Sequence, residues 1–167
     1  MGVKNHRKQG AKQVVTAILT VSDTRNRRTD ETGRILREGF EHAGHKVIRQ
    51  GIVKDESREI RAWFKEALGD PRIHVILING GTGIARRDVT VETVKPLLDK
   101  EITGFGELFR MLSYREIGSA AMMSRAIAGV ANNKVVVCTP GSPDSARLAL
   151  KEIILPEIGH LVWEAKR

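Results

Sequence analysis

The sequence predicts an α/β domain with a mostly parallel sheet and helices packed on its faces. Three observations predict it. Val14–Ser22 and Val75–Ile78 are near-continuous apolar and β-branched runs, the pattern of strands covered on both sides. Between and around them lie stretches with helical spacing, so strand and helix alternate along the chain. Finally, the run at Val75–Ile78 leads straight into a glycine-rich loop, as strands of such sheets do where they meet a ligand.

Each element has its own signal. After the first strand, Asp30 to Ala43 reads as a helix, with Ile35, Leu36, Phe40 and Ala43 on one face and Gly44 as its stop. Val47–Val53 follows as a strand. Ser57 to Leu68 follows as a helix, burying Ile60, Phe64, Ala67 and Leu68 before Gly69-Asp70-Pro71 breaks it. Short helices are expected near Val91–Leu98 and Gly104–Arg115. Two further strands, Ala126–Val130 and Lys134–Thr139, flank Asn132-Asn133, which suits a tight hairpin turn. Ser142-Pro143-Asp144 then opens a helix, with a capping serine, proline at the first position and an acid.

The bulk numbers exclude several classes of protein. The chain has 167 residues, enough for one domain with a substantial core, and 41% hydrophobic content without a run long enough to cross a membrane. Residues 1–12 read as a flexible basic tail and 13–167 as one domain. That tail lacks the apolar centre of a secretory signal, and Cys138 has no second cysteine to pair with, so a cytoplasmic protein is expected. Cys138 sits in the apolar run Val135–Thr139 and reads as a small buried hydrophobe. The five histidines are scattered without ligand spacing. The net charge of +8 invites a nucleic-acid partner, but aromatics are only 4% of the chain, too few for a stacking platform. Lys4, Arg7, Lys8 and Lys12 carry four of those charges in the tail. No specific nucleic-acid partner is expected. A basic surface equally suits polyanionic substrates.

Chemistry concentrates at three predicted strand ends. In Asn79-Gly80-Gly81-Thr82-Gly83-Ile84-Ala85-Arg86-Arg87-Asp88-Val89-Thr90, three glycines let backbone N–H groups approach a phosphate or flat ring, because no Cβ intervenes. Thr82 adds a hydroxyl, Arg86 and Arg87 can neutralise phosphate charge, and Asp88 is a hard oxygen ligand suited to Mg²⁺. The competing reading is a tight turn with exposed arginines and Asp88 capping the next helix. Taken alone, Asp55 reads first as an N-cap or first-turn acid. Topology adds a second role, because neighbouring parallel strands would bring Asp55 and Asp88 to one edge, where they could share Mg²⁺. Ser22 and Asp23 end the first strand at the same edge, where a turn role serves equally well. Thr139-Pro140-Gly141-Ser142-Pro143 is either an anion site at a helix start or a capped helix and nothing more. The apolar helix carrying Phe105, Leu108, Phe109, Met111 and Leu112 reads first as core and second as a subunit face.

Several stretches, taken in order, resemble the MoaB/MogA family of molybdenum-cofactor biosynthesis proteins, including the homologous domains of gephyrin and Cnx. They are Leu19-Thr20-Val21-Ser22-Asp23, Val53-Lys54-Asp55-Glu56, Gly80-Gly81-Thr82-Gly83 through Arg87-Asp88-Val89-Thr90, Gly104-Phe105-Gly106-Glu107, Met123-Ser124-Arg125 and Pro140-Gly141-Ser142. The run Phe105–Ser113 and the short C-terminus are closer to the MoaB branch. The resemblance implies a three-layer α/β/α sandwich, the molybdopterin-binding fold, assembled as homotrimers or homohexamers. It implies Mg²⁺-dependent adenylylation of molybdopterin by ATP, with Asp55 and Asp88 matching the family's essential aspartates. Gly80, Gly81, Thr82 and Gly83 match its ligand loop, with Arg87 beside them, and Ser124 matches a serine near the pterin dithiolene. Ser22, Pro140, Gly141 and Ser142 fall on other pocket walls. Both aspartates stand in place, unlike in MoaB-branch members that lack one or both. The alternatives, in order, are a molybdopterin-binding protein without chemistry and a basic nucleic-acid-binding protein.

Overall fold

In the computed structural model, which describes residues 10–167, one sheet of six strands is sandwiched between two helical layers. The strands are β1 (Val15–Val21), β2 (Lys46–Val53), β3 (Val75–Asn79), β4 (Lys100–Glu101), β5 (Ile127–Ala131) and β6 (Lys134–Thr139). The helices are α1 (Glu31–His42), α2 (Ser57–Gly69), α3 (Thr90–Val94), α4 (Thr103–Ile117), α5 (Pro143–Ala149) and α6 (Leu155–Ala165). Sheet order is β2-β1-β3-β6-β5-β4, with β2, β1, β3 and β6 parallel and the β5 and β4 pairings antiparallel.

The apolar runs follow from burial on both faces. In β3, Val75 and Leu77 pack into the cluster that holds Leu36, Phe40, Phe105, Phe109, Ile154 and Ile158. Ile76 and Ile78, one residue out of phase, pack with Ile60, Phe64, Ala67 and Val94 on the other face. The same period of two splits Val135 and Val137 from Val136 and Cys138 in β6. Burial pushes the Cys138 thiol up to about 12, so it stays protonated and inert at neutral pH.

The connections place the site. From β1 the chain runs through α1 to β2 on one side, then through α2 to β3 on the other. The strand order therefore reverses at β1, and a crevice opens beyond the carboxyl ends of β1 and β3.

Several details differ from the sequence expectations. The Val91–Leu98 helix is only Thr90–Val94 followed by a 3₁₀ turn at Lys95–Leu97, because Pro96 has no N–H to continue the α pattern. The two-residue β4 has no periodicity to announce it. The helix begun at Ser142 runs on through a π turn at Leu150–Ile154 into α6. The hairpin turn at Asn132 and Asn133 is as expected, both residues taking positive φ of 48° and 58°. Of the basic segment 1–12, residues 1–9 lie outside the described residues, while the Ala11 N–H donates to the Gly159 carbonyl at 3.0 Å. Among the described residues no helix is long and apolar enough to cross a membrane.

One buried contact joins the first strand to the first helix. Asp30, 5% exposed, caps α1 by accepting from the Gly33 N–H at 2.9 Å, and its other oxygen accepts from the Thr20 hydroxyl at 2.7 Å. Asp30→Ala removes the cap and leaves the proton of the buried Thr20 hydroxyl without its acceptor, so urea unfolding should show a loss of about 1–3 kcal/mol. Asp30→Asn, which keeps an acceptor, should recover most of it. A loss under about 0.5 kcal/mol for the alanine variant would refute the coupling.

Candidate active site

Four parallel strand ends meet around a cleft of about 330 Å³. Val21 and Ser22 come from the end of β1, Asp55 from just beyond β2, Asn79 from the end of β3, Gly80 to Gly83 and Asp88 from beyond it, and Pro140 and Gly141 from beyond β6. Met123 and Ser124 close it from the 3₁₀ segment after α4.

The glycine loop has the shape it has because side chains will not fit. Gly80 has φ of +93°, and a Cβ there would lie 2.2 Å from the Val21 carbonyl oxygen. Gly81 has φ of +62°, and a Cβ would lie 2.4 Å from the Thr90 hydroxyl and 2.7 Å from the Asp55 carboxylate. Both positions combine left-handed backbone with close approach, which only glycine tolerates. The loop is held from both sides. The Gly80 N–H donates to the Thr139 carbonyl at 3.0 Å, and Thr90 returns two bonds, its hydroxyl to the Gly80 carbonyl and its N–H to the Gly81 carbonyl. Arg125 fixes the far end, donating to the Thr82 and Asp88 carbonyls while pairing with Glu92.

The two aspartates share this cleft. Asp55 does not cap α2: the cap position is Glu56, which makes no side-chain cap bond. Its N–H donates to Asp23 at 3.3 Å, and its carboxyl faces the glycine loop. Burial, reinforced by repulsion from Asp23 and Asp88, raises the Asp55 carboxyl above its ordinary value of 3.8, with Arg87 pulling partly the other way. Asp88 does not cap the next helix either. One of its oxygens accepts from the Ala85 N–H at 2.8 Å, which orients the carboxylate beside Gly83. Two hard oxygen donors crowding each other in a half-buried cleft are what a divalent cation relieves, and Mg²⁺ takes one or two carboxylates and keeps its remaining waters. The donor set fits Mg²⁺. No group of three or more His, Cys, Asp or Glu gathers as a metal site among the described residues.

Ser22, Gly80, Gly81, Thr82, Gly83, Ser124, Pro140 and Gly141 all line the cleft, as the sequence reading grouped them. Two of the expected site residues are outside its lining. Arg87 donates to Asp23 at 2.8 Å and to Glu56 at 2.9 Å, so its guanidinium is committed to carboxylates. Ser142 is exposed and caps α5 through the Ser145 N–H at 3.2 Å. The sequence reading missed Thr20, Arg25 and Asn79 in the lining. Asn79 is fully buried and spends its amide N–H groups on the Leu19 carbonyl and the Thr20 hydroxyl; its Oδ1 has no partner among the described residues. A polar residue ending an apolar strand was the signal available for it.

With that geometry in view, comparison with known proteins is decisive. Residues 17–160 match the family model described as a probable molybdopterin binding domain. Molybdenum cofactor biosynthesis protein B of Bacillus cereus is 51% identical over 168 residues, covering 100% of this chain and 99% of that protein. The chain belongs to the MoaB family of molybdenum cofactor biosynthesis proteins. The protein of the same name from Halalkalibacterium halodurans is 52% identical, covering 98% of this chain and 97% of its own length. A crystal structure of a molybdenum cofactor biosynthesis protein B superposes with a TM-score of 0.90 at 51% identity, covering 94% of this chain and 98% of that one. The tungsten cofactor synthesizing protein MoaB from Pyrococcus furiosus superposes at 0.85 with 35% identity, covering 93% and 99%. The three-layer fold that the resemblance implied is thus the fold of the family.

Because Asp55 is raised, its contribution to stability is complete below the unfolded carboxyl's titration and is lost as pH rises through the folded one. Asp55→Asn should therefore melt higher than the parent at neutral pH, with the gap closing as pH falls toward about 4. Thermal melts between about pH 4 and about pH 8 check this. A variant that melts lower at neutral pH would contradict it.

Proposed function

We propose that this protein transfers the adenylyl group of ATP to the terminal phosphate of molybdopterin. A phosphate oxygen of the pterin forms a bond to the α-phosphorus of ATP, the α–β phosphoanhydride bond breaks, and pyrophosphate leaves. The observation that carries the reading is the meeting of Asp55, Asp88 and the glycine loop in one cleft at four strand ends. Membership in the family supports the pathway, and both aspartates support the chemistry.

The chain's own residues do three things in this account. Backbone N–H groups of Gly81 to Gly83 and the Thr82 hydroxyl hold phosphate or ring oxygens without reorganising, while the Gly80 N–H stays tied to the Thr139 carbonyl. Asp55 and Asp88 hold Mg²⁺, which when bound neutralises charge on the ATP phosphates. Ser22, Ser124, Pro140 and Gly141 wall the second reactant against the first, and positioning of this kind supplies much of the rate. Arg87 is a positioning residue: its pairing with Asp23 orders the segment whose carboxylate receives the Asp55 N–H. No protein nucleophile is needed, so a chain without a Ser-His-Asp arrangement suffices.

The proposal extends to a homo-oligomer. Phe105 and Phe109 of α4 are buried, but Leu108, Met111, Tyr114 and Ile117 leave 48–63% of their surface exposed on its outer side. Such a stripe suits a subunit face, with Met123 carrying it toward the cleft. Met111→Glu should convert the assembly to monomers on light scattering while circular dichroism stays unchanged; a parent already monomeric at micromolar concentration would exclude this face.

For the activity, the purified protein with ATP, Mg²⁺ and molybdopterin should release pyrophosphate stoichiometrically with adenylyl-molybdopterin. Asp88→Asn should lower turnover by about 10²-fold or more while pterin affinity changes little. Retention of pterin without pyrophosphate release would identify a binding protein instead, and undiminished turnover by the variant would remove Asp88 from the chemistry.

A further inference from the structure

Beside the cleft, and continuous with it through Ser22 and Arg25, lies a larger groove of about 1170 Å³ between the loop after β1, the outer face of α1 and the end of the edge strand β2. Its charges are unusual in how they are paired. Every acid in its lining is already engaged by the protein. Asp23 pairs with Arg87, Asp30 caps α1, Glu31 pairs with Arg147, and Glu59 accepts from the Lys54 N–H. The cations are not balanced in the same way. Arg27, Arg28, Arg34 and Arg37 line the groove without an ion pair to a described residue, while the Lys54 charge acts on Asp23. Six cations line the groove against four acids, and two of those acids are spent on Arg87 and Arg147, so this concave surface is net positive and attracts an anion, whose phosphate oxygens guanidinium forks match in pairs.

Size points the same way. The cleft holding Asp55 and Asp88 is at the lower end of the roughly 300–1,000 Å³ that a single small ligand occupies. The proposed reaction brings two reactants together, and the neighbouring groove has the volume the cleft lacks. Resting on that reading, we infer that the groove is the docking site for the polyphosphate of the nucleotide, with Arg27, Arg28, Arg34 and Arg37 holding its outer phosphates. The α-phosphorus would then sit at the mouth shared by the two cavities, where Arg25 and Ser22 line both. The released pyrophosphate would leave along the same basic wall, away from the pterin.

The test separates this inference from the activity itself, because binding is read without turnover. Calorimetry of the full chain with Mg²⁺-ATP and, separately, with tripolyphosphate should show both ligands binding and competing, with affinity falling as salt is raised. Arg34→Glu with Arg37→Glu, two exposed positions on α1, should weaken both by at least about tenfold with circular dichroism unchanged. Arg27→Ala with Arg28→Ala, on the loop, should weaken them in the same direction. In steady-state assays the helix variant should raise KM for ATP and leave KM for molybdopterin where it was. Unchanged ATP and tripolyphosphate affinity in both variants overturns the inference, as would a KM increase confined to molybdopterin. Loss of affinity for a Glu-rich peptide or an oligonucleotide, with ATP binding intact, would overturn it in favour of a macromolecular partner. Failure of the parent to release pyrophosphate while ATP binding still depends on Arg34 and Arg37 would sink the adenylyl transfer and not the groove.

Discussion

Two carboxylates that repel each other are held at one edge of a sheet, and most of what is distinctive in this structure follows from that constraint. Asp55 and Asp88 arrive on different loops, and both are kept beside a backbone that has no side chains to intervene. The parallel order β2-β1-β3-β6 brings the loops together, since all four strands end on the same side. The left-handed glycines at positions 80 and 81 then let the chain pass between Val21 and Asp55 at distances no other residue allows. The strand core supplies the rigidity, and the hydrogen bonds of Thr90, Thr139 and Arg125 transmit it to the loop.

Such an arrangement carries a stability cost that the surrounding charges moderate without removing. Arg87 lies against Asp23 and Glu56, where it holds the Asp23 carboxyl below its ordinary value and keeps that group ionised next to Asp55. Burial first, and the charge of Asp23 second, keep Asp55 in an environment unfavourable to its own ionised form. Acids placed in this way destabilise the fold wherever nothing neutralises them, and the structure tolerates this because two separate apolar clusters pack the faces of the sheet beneath. The positive groove alongside has the opposite imbalance. The two fields adjoin at Ser22 and Arg25, an arrangement suited to a ligand that is itself a metal-bound polyanion.

Much of this was legible in the sequence, for identifiable reasons. Strands buried on both faces write themselves as continuous apolar runs, so β1, β3 and β6 could be read directly, and glycines after a strand marked the loop. Asp55 and Asp88 could be grouped because parallel strands must end on the same side. What stayed hidden depends on contacts distant in sequence. Nothing local announces that Arg87 turns to Asp23 and Glu56, 64 and 31 residues away, and not toward a ligand. Asn79 opens the glycine loop in the sequence, yet its role as a buried tie to Leu19 and Thr20 needs the third dimension. On α4 Phe105 and Phe109 proved to be core and the Leu108 and Met111 positions surface, a division that a uniformly apolar run conceals.

The central claim is that Asp55 and Asp88 act jointly on a divalent cation carried with nucleotide phosphate. Electron paramagnetic resonance with Mn²⁺ standing in for Mg²⁺, titrated in the presence of ATP, tests it most directly. The account predicts that the parent immobilises one Mn²⁺ per site and that Asp55→Asn with Asp88→Asn weakens this by at least about tenfold with the fold intact. Equal Mn²⁺ binding by the parent and the double variant would contradict it.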